Sequence, residues 1–288
     1  MIRTLQRYLS LIKFSHTIFA LPFAFIGFAM AVHTGKASFS FQKFILVILC
    51  MVFARSAAMA FNRYIDRDYD KKNPRTVVRE IPAGLISPQA ALTLIITCCL
   101  GFVVSALLIN PLCFYLSPVA LLVILGYSYT KRFTPLCHLI LGLGLSLAPI
   151  GAYIALTERF NLLPIMVSVI VFLWTGGFDI IYALQDDEFD KTQNLKSMPV
   201  FLGRKNALRL SELLHFLAGL IVIAVYFTGH FGWLYMIGAL FFMALLVYQH
   251  LLVKPDDLSK VNLAFGTTNG LASVIFCVFV CADIFFIT

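Results

Sequence analysis

Ten aspartates occur in the 288 residues, and seven of them fall in two places. Asp66, Asp68 and Asp70 form one group, and Asp179, Asp186, Asp187 and Asp190 form the other. Asn62, Asp66 and Asp70 stand at i, i+4 and i+8. At about 100° per residue they occupy one stripe of a helix roughly 80° wide. Asp179, Tyr182, Asp186 and Asp190 stand at i, i+3, i+7 and i+11, again one face. Asp68 and Asp187 fall off these stripes and are expected to meet solvent. Carboxylates stacked this way repel one another, and burial sharpens the repulsion, so a cation must compensate. Mg²⁺ takes oxygen ligands, commonly one or two carboxylates plus substrate phosphates. Two facing ladders suit such ions and a pyrophosphate bridged between them, with the metal stabilising the charge of a departing pyrophosphate. Charges that merely anchor helix ends account for Asp68, Asp187, Glu188 and most loop lysines. They account poorly for a ladder that occurs twice.

Bases follow each ladder. Arg75, Arg79, Lys131, Arg132, Lys191 and Lys196 are placed to contact phosphate oxygens, arginine bidentately. Arg55 lies on the stripe of Asn62, two turns deeper in an apolar run, where an unpaired charge is costly. Its partner is either Asp179, which is also deep, or an anionic group of a substrate such as a carboxylate.

Apolar segments must position these groups. Hydrophobic residues make up 60% of the chain and charged ones 12%, against roughly 25% charged in a soluble domain. Apolar runs lie near 15–34, 43–64, 89–109, 112–128, 136–156, 163–185, 211–229, 232–252 and 264–287, with a tight turn at Asn110-Pro111. Each is long enough to cross a bilayer as a helix. Runs such as 217–227 do not alternate as barrel strands do. With nine alternating spans and an inside N-terminus, 18 of the 22 Lys and Arg fall on the inner side. That bias predicts N-in, C-out and assigns the net charge of +8 to a membrane face and an anionic substrate rather than to nucleic acid. The expectation is a single all-α transmembrane domain over 1–288. Asp66 and Asp186 are 120 residues apart, each at the end of an apolar helix before a basic loop, which hints at an internal repeat.

Asn62-x₃-Asp66-x₃-Asp70 and Asp179-x₂-Tyr182-Ala183-x₂-Asp186-x₃-Asp190 resemble the paired motifs of the UbiA family of intramembrane prenyltransferases. The resemblance extends to Asn73-Pro74-Arg75-Thr76 with Arg79, to Tyr127 and Lys131-Arg132, and to Lys196-Ser197 and Gly203, and so covers nearly the whole chain. It implies nine helices around a central cavity with a cytoplasmic polar cap. It also implies Mg²⁺-dependent ionisation of a polyprenyl pyrophosphate to an allylic cation, which an aromatic acceptor then attacks. Carried over residue by residue, Asn62, Asp66, Asp70, Asp186 and Asp190 serve metal and pyrophosphate. Arg75, Arg79, Lys131, Arg132 and Lys196 serve pyrophosphate, and Arg55, Asp179 and Tyr182 shape the acceptor side. Arg55-x₆-Asn62 is similar to the branch acting on 4-hydroxybenzoate. Lys13-Phe14-Ser15-His16-Thr17 followed by Ala20-Leu21-Pro22-Phe23 is similar to a bacterial subgroup, a resemblance that implies a dihydroxynaphthoate for menaquinone as the alternative acceptor. Many members carry Asp after the first Asn, where this chain has Arg63.

The seven cysteines all lie in apolar segments without metal-type spacing and read as small buried hydrophobes. His16, His33, His215, His230 and His250 show no ligand spacing. His138 falls just past the Lys131-Arg132 loop, within reach of the site, although an interfacial role is the simpler expectation. The Gly142/Gly144 pair suits close helix packing. Aromatic faces can steady a carbocation, but most of the 28 Phe, including Phe19, Phe23, Phe25, Phe28, Phe53 and Phe61, are expected to pack or face lipid. No cleavable signal or transit peptide is evident, which favours a bacterial plasma membrane. Two readings of other classes are an ion-coupled transporter, since intramembrane Asp can line ion paths, and a non-catalytic prenyl-lipid binder.

Overall fold

The computed structural model describes residues 2–13, 19–33, 35 and 37–287, without the side chains of 2–5. Residues 14–17, named above, lie outside the described residues. The described residues are organised as helices: α1 (Ile2–Leu11), α2 (Leu21–His33), α3 (Phe41–Ile65), α4 (Arg67–Asp70), α5 (Pro88–Ile109), α6 (Pro111–Thr130), α7 (Cys137–Thr157), α8 (Leu162–Ala183), α9 (Asp187–Thr192), α10 (Met198–Leu202), α11 (Arg204–Thr228), α12 (Trp233–Leu252) and α13 (Asn269–Phe286). Eight of these segments are long and apolar enough to cross a membrane, with α8 and α9 counting as one and α13 running on from a π-helical turn at Leu263–Thr268. The protein is a multi-pass membrane protein.

The expected first span is only partly described. Its described part, α2, has 13 residues, short of the roughly 20 that a full crossing takes. It is packed on all sides, with Phe23, Ile26 and Met30 fully buried, between α7, α8 and α13. α1, which the hydropathy pattern does not single out, leads into Leu11 and Ile12, which pack on Ala60, Ile81 and Ile86.

Local chemistry sets the boundaries. Ser40 caps α3 by accepting from the Lys43 amide at 3.3 Å, and Ser87 caps α5 by accepting from the Ala90 amide at 3.2 Å. Asn110 makes the tight turn: its Oδ1 accepts from the Cys113 amide at 2.7 Å, and its amide donates to Ile154 O and Ala155 O. Pro111 then starts α6, where a missing N–H costs nothing. Between α7 and α8 the backbones nearly touch. A Cβ on Gly142 would lie 2.5 Å from Phe172 O, whereas Gly144 has ordinary room. Gly142 alone of that pair is required for packing.

Helix direction alternates, so the segments after α3, α6, α8 and α12 meet at one end and form a polar cap. The Lys196 amide donates to Lys131 O at 2.7 Å, tying two of them, and Leu258 packs on the cluster around Leu184.

Candidate active site

The first ladder keeps its helical repeat across a break. The Asp66 amide donates to Asn62 O at 3.0 Å, and the Asp70 amide donates to Asp66 O at 2.8 Å. Asn62 therefore sits on α3, Asp66 at the junction and Asp70 on α4, along one side. The second ladder has the same plan. Asp179 and Tyr182 are on α8, a 3₁₀ turn at Leu184–Asp186 follows, and Asp190 is on α9. Both ladders face a cavity of about 560 Å³. Every site residue named from the sequence lines it except Lys191, which is exposed, and Lys196. Lys196 is exposed too, and its ammonium donates to Phe133 O at 3.2 Å.

Each ladder carboxylate meets a base. Arg75 grips Asp186 through both Nε, at 2.9 Å, and Nη2, while Asn73 donates to the same carboxylate at 3.0 Å. Arg79 holds Asp70 at 2.7 Å. Adjacent on the chain, Lys131 and Arg132 part: Lys131 lies 2.8 Å from Asp190 and Arg132 3.3 Å from Asp66. One dipeptide thus spans the space between the ladders. Arg132 is fixed by Ile65 O at 2.9 Å and lies over the rings of Tyr69 and Tyr129. Arg75 also donates to the Tyr182 hydroxyl at 3.1 Å.

Burial, then the charge of Asp70, pushes the Asp66 carboxyl up to about 6. Burial works against the charge of Arg75 and of Lys131, but Asp186 and Asp190 respectively hold them above their ordinary ranges.

Among the described residues, no three His, Cys, Asp or Glu side chains converge as a ready metal cage. The donor set still fits a divalent cation that shares its shell with substrate. Asp70 Oδ2 and both oxygens of Asp190 are buried without a hydrogen-bond donor. Lys131 is near Asp190 in distance but outside hydrogen-bond geometry. Orphaned carboxylate oxygens of this kind are what a hard cation takes.

Deeper in the cavity, Arg55 does not pair with Asp179, one of the two partners open to it. Its Nε is buried without a hydrogen-bond partner. Asp179 is taken instead by His138, whose Nδ1 is 2.7 Å from Oδ2. The Met198 amide donates to His138 Nε2 at 3.3 Å, so Nδ1 carries the proton and donates to Asp179. His138 is 3% exposed and lines the cavity, so the interfacial role expected for it is replaced by a place beside the site. Asp187 is a second correction. It does point away from the ladder, but it meets Arg204 of α11 at 2.8 and 2.9 Å and is 3% exposed. The cause is α10, which turns the chain so that α11 begins over α9. Asp68 is exposed as expected. Of the phenylalanines singled out from the sequence only Phe19 lines the cavity. It makes ring contacts with Phe178 and Phe265, at 6.0 and 5.5 Å between centroids, and Phe265 lies 4.1 Å from Tyr182. Asn73 could have been found from its place in the Asn73-Pro74-Arg75-Thr76 run; no spacing signal marks His138.

The model of the UbiA prenyltransferase family matches residues 20–279. The chain belongs to that family. The 4-hydroxybenzoate octaprenyltransferase of Aeromonas hydrophila is 32% identical over 233 residues, 81% of each chain. That of Aliivibrio fischeri is 32% identical over 235 residues, 81% of each. The apo structure of a UbiA homolog from Aeropyrum pernix K1 matches with a TM-score of 0.80 at 29% identity, covering 93% of this chain and 96% of that one. A UbiA homolog from Archaeoglobus fulgidus, solved bound to GPP and Mg²⁺, shares the fold at a TM-score of 0.72 and 24% identity, with 96% and 99% covered. The helical family fold expected from the paired motifs is the fold observed.

Proposed function

We propose that the protein transfers a polyprenyl group from a polyprenyl pyrophosphate to an aromatic acid of the 4-hydroxybenzoate kind, in quinone biosynthesis. The observation that carries the acceptor class is Arg55, a cavity-lining arginine with a buried, unpartnered Nε, whose candidate partner Asp179 is occupied by His138. An acceptor carboxylate supplies the missing anion. The relatives named 4-hydroxybenzoate octaprenyltransferase support the same choice.

In this reading Asn62, Asp66, Asp70, Asp186 and Asp190 hold Mg²⁺, which would neutralise the pyrophosphate as it leaves. Arg75, Arg79, Lys131 and Arg132 turn from the carboxylates to phosphate oxygens, with Lys196 at the rim. The allylic C–O bond breaks and its electron pair stays on the pyrophosphate. The aromatic faces of Phe19, Phe178, Phe265 and Tyr182 border the allylic cation. A ring carbon of the acceptor bonds to it, and the ring proton is lost. Arg55 and Tyr127 hold the acceptor from below, and Asp179, oriented by His138, faces its hydroxyl. The apolar remainder of the cavity, between α3, α6 and α7, takes the prenyl chain beside the lipid bilayer. The whole chain acts as one domain, with α2 as the ninth crossing, N-in and C-out, in a bacterial plasma membrane. No nucleic acid is involved.

The test compares 4-hydroxybenzoate with phenol as acceptor. Wild-type protein should strongly favour the acid. Arg55→Ala should raise the KM for the acid far more than that for the prenyl donor, and should bring the two acceptors close together. A donor-only defect in Arg55→Ala rejects this assignment.

A further inference from the structure

Four arginines line the polar cap, and three of them hold a ladder aspartate. Arg63 is the fourth. It follows Asn62 on α3, is 4% exposed, and its Nε and Nη1 have no hydrogen-bond partner. The groups whose charge or hydroxyl acts on it are Arg79, Asp70, Glu80 and Tyr182. Asp70 is held by Arg79 at 2.7 Å. Glu80 accepts from the Ser10 hydroxyl on one oxygen, and its other oxygen has no donor. Among the described residues, no ion pair reaches Arg63.

A guanidinium cannot relieve burial by losing its proton, and a buried charge without an anion is unfavourable. Arg75, Arg79 and Arg132 must first leave a carboxylate to meet a substrate. Arg63 need not. It lines the same cavity as both ladders, and its two unpartnered nitrogens are buried beside it.

We propose that Arg63 binds the pyrophosphate of the prenyl donor directly, its guanidinium meeting phosphate oxygens as a charge built into the site before metal arrives. The proposal rests on the pyrophosphate reading above. Asp in place of Arg63 would differ by two charge units, the charge of one divalent ion, so this chain supplies from its own side chain what a further metal would otherwise bring.

The test measures binding of inorganic pyrophosphate to the detergent-purified full chain by calorimetry, in EDTA and in Mg²⁺. In EDTA, Arg63→Gln should weaken binding about 10- to 100-fold, the range of hydrogen bonds to a charged group. Arg63→Lys should recover part of the loss, and Glu80→Gln alone should not weaken binding. If Arg63→Gln does not fold, the double variant Arg63→Gln with Glu80→Gln removes both buried charges and should still lose binding. Binding by either folded variant within twofold of wild type overturns the proposal. Wild-type protein that binds no pyrophosphate even with Mg²⁺ overturns the underlying pyrophosphate reading instead.

Discussion

His138 offers a sharp test because its two ring nitrogens have different partners. Nδ1–H donates to Asp179 at 2.7 Å, and Nε2 accepts from the Met198 amide at 3.3 Å. His138→Ala removes a buried hydrogen bond to a charged group, about 1.5–3 kcal/mol, or roughly 10- to 150-fold if the bond matters to acceptor binding or turnover. It also strands the Met198 amide, a further cost of about 1–3 kcal/mol to stability. His138→Asn places a donor near the Nδ1 position, whereas His138→Gln places its amide nearer Nε2. Steady-state kinetics with the prenyl donor and the acceptor varied in turn separates the effects. The expected order of kcat/KM for the acceptor is wild type, Asn, then Gln and Ala together, with the donor KM within twofold throughout. Recovery by Gln rather than Asn would refute the tautomer, and a larger change in donor KM would refute the placement of Asp179 beside the acceptor.

Asp187→Ala should cost about 1–2 kcal/mol in denaturation experiments, since its partner Arg204 is 32% exposed and the pair is discounted for screening; activity per folded molecule should not change. Asp66 is pushed up to about 6, so below that pH it is neutral and a poor metal ligand. The Mg²⁺ needed for half-maximal activity should therefore fall as pH rises through about 6 and level off above 7; a flat profile from pH 5 to 7 contradicts this. Gly142→Val should destabilise the protein by about 1–3 kcal/mol through overpacking against Phe172 O, 2.5 Å from the added Cβ, while Gly144→Ala should be tolerated; equal melting temperatures for the two would refute the close approach.

The ladders were legible because a helical repeat is a local property: i, i+4 and i+8 stay on one side even where α3 gives way to α4. Charge geography likewise marked the bases of the cap. Partnerships between helices were not legible. That His138 meets Asp179 depends on the register of α7 on α8, which is set by the close contact at Gly142. Asp187 could be placed off the ladder, but not under Arg204, because that needs the turn made by α10. Lys196 has the right charge and the right loop, yet its backbone is tied to Lys131 and its side chain turns to Phe133. Arg63 was visible as a departure from the motif. Its lack of a partner could be seen only once Asp70 and Glu80 were located.

Product formation by the purified chain bears on the central claim most directly. Labelled polyprenyl pyrophosphate is supplied with 4-hydroxybenzoate or a dihydroxynaphthoate, in Mg²⁺ or in EDTA, to wild type and to the double variant Asp66→Ala with Asp190→Ala. The expected result is a prenylated aromatic acid that requires Mg²⁺ and is lost in the double variant. Absence of product with every aromatic acid, or activity that survives removal of both aspartates, would contradict it.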